Sequence, residues 1–133
     1  MMRLERESTC IFCDERAGSE HAAEVIKTGD YWYVTTNDFP YEGTVAHYLI
    51  VARDHVNSFD QLPDAAGAEL WSLRRLLKAR VAAPAFATVE RSGDMRLNGG
   101  SVEHLHVHMV ALGEDPSHTV RFRVSARGGE PRN

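Results

Sequence analysis

Three histidines alternate with apolar residues in His104-Leu105-His106-Val107-His108-Met109-Val110. On a β-strand successive side chains point to opposite faces, so the imidazoles share one face and Leu105, Val107 and Met109 the other. Same-face neighbours then stand roughly 7 Å apart. An apolar face backing a row of titratable rings suits a catalytic floor or a metal site. Histidines merely solvated or packed on a sheet are the plainest alternative. A single metal is a poor fit to all three, because residues on one straight strand span roughly 13–14 Å and an ion reaches at most two of them. The loop Asn98-Gly99-Gly100-Ser101 favours nucleophilic catalysis on a phosphate. Its glycines allow close approach of backbone amides, while Ser101 and Asn98 add side-chain donors. A central imidazole, His106, would then be flanked by rings that bind phosphate oxygens or a leaving group.

A second cluster sits near the start. Cys10-Ile11-Phe12-Cys13 holds the only cysteines. In a reducing compartment such a pair reads as metal ligands or a redox pair rather than a structural disulfide. Alone it supplies half a tetrahedral site. His21, His47, His55, His104, His106, His108 and His118 are the available complements.

The elements that must position these residues follow from patterning. The 133 residues are read as one domain over 1–125, with 126–133 a mobile tail. Hydrophobic content of 43% and charged content of 26% are those of an ordinary globular protein, and the net charge of −4 gives no footprint for DNA or membrane binding. No apolar run approaches a membrane span, and Met1-Met2-Arg3-Leu4-Glu5-Arg6-Glu7 lacks the apolar core of a signal peptide, so a cytoplasmic location is expected.

Residues 31–36 are aromatic and β-branched, 47–52 form a continuous apolar run, and 86–91 resemble another strand. Glu24-Val25-Ile26 is a short strand candidate, and Thr119-Val120-Arg121-Phe122-Arg123-Val124 alternates like a late one. On that late strand Arg121 and Arg123, with Arg127, read as a solvated face. Residues 37–43 have turn composition, and 95–97 are ambiguous. Pro63 and Asp64 open a helix carrying Leu70, Leu73, Leu76 and Leu77, with Pro84 at or beyond its end. The expected class is α+β, a mostly antiparallel sheet with one long helix.

Residues 99–110, Gly-Gly-Ser-Val-Glu-His-Leu-His-Val-His-Met-Val, resemble the signature of the histidine-triad (HIT) superfamily, His-φ-His-φ-His-φ-φ with φ apolar. Cys10-Ile11-Phe12-Cys13, Asn37-Asp38-Phe39-Pro40 and 46–56 follow in family order, so the likeness spans roughly 8–112. The resemblance implies a HIT-like fold and a nucleotide hydrolase or transferase acting at the α-phosphate. The substrates implied are nucleoside phosphoramidates or dinucleoside polyphosphates, with purine nucleotides as ligands.

By the same resemblance His106 would attack and form a nucleotidyl-histidine, and His108 would assist the leaving group. Ser101 and the loop amides would hold phosphate oxygens, His47 would support the triad, and Asn37 would contact the sugar. Some bacterial members complete a zinc site with residues that map to His55 and His104, beside Cys10 and Cys13. A homodimer is also implied, with the Leu70–Leu77 face and strand 86–91 as contributors.

Two departures bear on substrate choice and turnover. Gly100 stands where a Gln is frequent, and Ala111-Leu112-Gly113 follows the triad where many relatives have Pro-Arg. They motivate an alternative, a nucleotide- or partner-binding module with little turnover. A zinc-dependent catalyst is a third reading.

Overall fold

The computed structural model describes residues 10, 12–13, 24–37, 44–100, 102–117 and 119–125. Within them the chain forms β1 (Val25–Thr28), β2 (Trp32–Thr36), β3 (Thr44–Ala52), α1 (Asp64–Arg80), β4 (Ala85–Glu90), α2 (Met95–Asn98) and β5 (His106–Leu112). The strands make one sheet in the order β1-β2-β3-β5-β4, antiparallel at every step. This is the α+β class that the patterning predicts. The triad-bearing strand therefore lies inside the sheet, with β3 on one side and β4 on the other.

Alternation sorts the two faces. Trp32, Val34, Tyr48, Ile50, Ala52, Leu105, Val107 and Met109 pack with Ala66, Leu73 and Leu77 of α1 into the main core. Burial of each large aliphatic side chain of this kind contributes about 1.5–3 kcal/mol. Tyr33, Leu49 and Val51 point the other way and form a smaller cluster with Phe12, on the histidine side. The register seats His106 opposite Val51 and His108 between Leu49 of β3 and Val89 of β4.

The helix is tied to the first hairpin by Glu69. Its carboxylate accepts from the backbone N–H groups of Asp30, Tyr31 and Trp32 at 3.0–3.3 Å. The indole N–H of Trp32 donates to the carbonyl of Ala66 at 2.8 Å. These bonds satisfy turn amides that the sheet leaves unpaired.

Two expectations change and one ambiguous stretch is assigned. Strand β5 begins at His106, so His104 sits in the bend that leads into it rather than on the strand. Residues 95–97 belong to the short helix α2, opened by Asp94, whose side chain accepts from the N–H of Arg96, and closed by Gly99 at φ +85°. Residues 119–124 form no strand. Both edges of β5 are already paired, and the segment crosses the histidine side instead of joining the sheet. The candidate loop 38–43, Ser101, His21, His118 and the tail 126–133 lie outside the described residues.

Candidate active site and metal-ligand cluster

The end of β3 fixes the approach to β5. The N–H of Ala52 donates to the carbonyl of Leu105 (3.1 Å), and the N–H of Leu105 donates to the carbonyl of Val56 (2.7 Å). The Nε2–H of His104 donates to the carbonyl of Ala52 (2.7 Å). That bond assigns the ring's proton to Nε2 and leaves Nδ1 as the lone-pair nitrogen. Burial pushes the His104 pKa down to about 4, against the opposing pull of the Ala52 carbonyl.

The lone pair of His104 points into a cluster. Its Nδ1 lies 3.2 Å from Cys10 Sγ, 3.5 Å from Cys13 Sγ and 3.2 Å from His55 Nδ1. Cys13 Sγ is 2.9 Å from His55 Nδ1. All four ligand atoms lie within 4.8 Å of one another. A tetrahedral site with metal–sulfur bonds of about 2.3 Å and metal–nitrogen bonds of about 2.0–2.1 Å has edges of roughly 3.3–3.8 Å. The four residues are thus close enough to hold a metal ion, with a hydrogen-bonded carbonyl orienting one imidazole as such ligands require.

Phe12, between the cysteines, links this cluster to the triad. Its ring meets His104 edge-on at 5.9 Å and His106 at 4.9 Å between centroids. Its carbonyl accepts from the hydroxyl of Tyr33 at 2.6 Å. No spacing rule singles out Phe12; its position between the two cysteines is the only sequence signal.

His106 is the best-defined ring of the triad. Its Nδ1–H donates to the carbonyl of His104 at 2.7 Å, which leaves Nε2 unprotonated. Burial lowers its pKa, outweighing that hydrogen bond, and the positive charge of Arg91 acts in the same direction. The neighbouring ring of His108 lies 5.1 Å away between centroids. Burial pushes His108 down to about 3, with His106, His47 and Arg91 adding to the effect. His108 Nδ1 shares a 3.0 Å hydrogen bond with Nε2 of His47, whose own pKa burial lowers to about 4. The side-chain amide of Asn37 lies 3.2 Å from His47 Nδ1 and 3.4 Å from Nε2, and its backbone N–H donates to the His47 carbonyl. Near neutral pH the site is therefore a row of uncharged imidazoles capable of accepting and donating hydrogen bonds at once.

Not every candidate faces outward. Asn98 is engaged within the loop, accepting from the N–H of Gly100 (3.0 Å) and donating to the carbonyl of Ser92 (3.1 Å). A Cβ on Gly99 would stand 2.8 Å from the carbonyl oxygen of Arg123, and one on Gly100 would stand 2.4 Å from the Met95 sulfur. Packing thus requires Gly99, which meets backbone at a positive φ, whereas Gly100 faces the flexible side chain of Met95. Residues 119–125 contribute a feature absent from the expectations above: Phe122 packs edge-on against His108 at 5.3 Å.

The HIT domain sequence model matches residues 18–115. The chain belongs to the HIT domain family. Solved structures of similar fold include a histidine triad protein from Clostridium difficile, with a TM-score of 0.62 and 22% identity over 83% of this chain and 96% of that one. Another is a hypothetical histidine triad nucleotide-binding protein from Sulfolobus tokodaii, at 0.61 and 20%, over 87% and 80% of the two chains. A third is a HIT family hydrolase from Clostridium thermocellum, at 0.57 and 16%, over 86% and 97%. Among curated proteins none matches the sequence. No helix among the described residues is long and apolar enough to cross a membrane.

Proposed function

We propose that the chain is a nucleotide hydrolase or transferase that acts at an α-phosphate through a nucleotidyl-histidine on His106. The observation that carries this reading is the 2.7 Å bond from His106 Nδ1 to the His104 carbonyl, because it presents Nε2 as the nucleophile. Family membership and the nucleotide-binding and hydrolase names of two structural relatives support it.

In the attack His106 Nε2 bonds to phosphorus, and the bond to the leaving group breaks with its electron pair. His47 donates Nε2–H to His108 Nδ1, so that His108 keeps its proton on Nε2 and hydrogen-bonds the leaving group, which takes any proton it needs from solvent. Ser101 and the amides around Gly99 and Gly100 hold the non-bridging oxygens. Asn98 shapes that loop, and Asn37 positions His47 beside the sugar. Water then attacks the adduct. The P–N bond breaks with its electron pair returning to the ring, and the proton that water loses passes to the freed Nε2 and on to solvent.

Zinc is the metal proposed for Cys10, Cys13, His55 and His104, as a closed structural site with no position left for substrate. A reducing, cytoplasmic setting keeps both thiols available to it. A homodimer is proposed through the outer edge of β4 and the exposed Trp71 and Leu76 on α1.

The test is turnover of an adenosine phosphoramidate and a diadenosine polyphosphate by wild type and His106→Asn. We expect the substitution to lower turnover by at least about 10³-fold while AMP binding persists. Phe122 against His108 favours one competitor, a nucleotide-binding module with little turnover. Equal and negligible turnover by both proteins, with AMP still bound, would establish that competitor.

A further inference from the structure

Arg91 follows the last residue of β4, two positions beyond Val89, the register partner of His108. Its Nε and Nη2 both donate to one acceptor, the carbonyl of Arg123, at 2.8 and 2.6 Å. Among the described residues no carboxylate pairs with it. Arg123 is also pressed against Gly99, whose missing Cβ makes room for its backbone. One residue earlier, Phe122 covers the edge of His108. Residues 119–125 thus run as a strap over the third triad histidine, fastened by a positively charged guanidinium that donates to a neutral oxygen. That charge is already felt at His108. A phosphate oxygen is a stronger acceptor than a carbonyl, because its full negative charge adds Coulombic attraction to hydrogen bonds whose geometry matches the guanidinium fork.

We propose that Arg91 is the receptor for an anionic leaving group, and that a leaving phosphate takes the place of the Arg123 carbonyl and releases the strap from His108. This rests on the reading of His106 as nucleophile and narrows its substrate class. When Nε2 of His106 attacks the α-phosphorus of a dinucleoside polyphosphate, the P–O bond breaks and the electron pair leaves on a phosphate oxygen. That oxygen departs as an anion, which Arg91 stabilises without a proton transfer. An amine leaving from a phosphoramidate has no such charge and must instead gain a proton. Arg91 therefore selects polyphosphate over phosphoramidate substrates.

Two measurements on the full chain test this. The first is the ratio of kcat/KM for diadenosine polyphosphate over adenosine phosphoramidate, in wild type, Arg91→Gln and Arg91→Lys. Loss of a charge-assisted bond of about 1.5–3 kcal/mol corresponds to a roughly 10- to 100-fold fall in that ratio for Arg91→Gln. Arg91→Lys keeps the charge and should recover part of it. The second is tryptic cleavage after Arg121 and Arg123, followed by mass spectrometry with inorganic pyrophosphate as the probe. In wild type, pyrophosphate should accelerate cleavage severalfold. In Arg91→Gln cleavage should be fast with or without it.

An unchanged substrate ratio, or cleavage indifferent to pyrophosphate in wild type, overturns the proposal. Absence of turnover on both substrates counts against the nucleophile reading instead, and the pyrophosphate arm then decides the strap alone.

Discussion

His106 donates Nδ1–H to the carbonyl of the residue two positions earlier, and this contact sets which nitrogen keeps its lone pair. The shared face of His106 and His108 was legible from alternation alone. The carbonyl was not, because it depends on the path of the bend at 102–105 and on its pairing with Ala52 and Val56. The likeness of 46–56 to the family segment placed His47 near the triad, but only the fold shows that its Nε2 meets His108 Nδ1.

A pH dependence belongs to these residues. His47 and His108 titrate near 4 and 3 in the fold, below the ordinary 6.5 of an unfolded histidine. Between those values the unfolded chain binds more protons than the folded one, so stability rises with pH there. Denaturant midpoints should hold steady above about pH 7, fall as pH drops from about 6.5 towards 4, and level off below about 3. His47→Gln should flatten part of that slope. A midpoint that stays constant from pH 7 to 4 would contradict the assignment of neutral buried imidazoles.

Glu69 shows how one helix side chain can hold an element in place. It lies on the leucine-bearing helix, yet its carboxylate gathers the Asp30, Tyr31 and Trp32 amides of the first hairpin. Glu69→Ala strands these donors and should cost about 1–3 kcal/mol in equilibrium unfolding. Glu69→Gln, which keeps one acceptor oxygen, should cost less. The long helix and the central strands were legible because their apolar periods, 3.6 and 2, match the faces they bury. The segment 119–124 has the strand period too, but it joins neither edge of the sheet. Its Phe122 turns instead towards His108, which no local pattern specifies.

At the scale of the molecule, the Cys-x-x-Cys segment and β5 meet at one cluster, and Phe12 carries the contact from there to His106. The pairing of cysteines with His55 and His104 was legible only through the family likeness, since the chain offers seven histidines. Chelation should lower Tm and increase hydrogen exchange at 104–106, with both effects reversed by added zinc. Unchanged exchange at 104–106 after complete metal removal would uncouple the cluster from the triad. The claim on which the functional account depends is covalent chemistry at one nitrogen. Wild-type protein mixed with an adenosine phosphoramidate, quenched within milliseconds and digested, should yield a peptide carrying one adenylyl group on His106, absent from His106→Asn. Steady turnover with an unmodified His106, or an adduct on His104 or His108 instead, would contradict it.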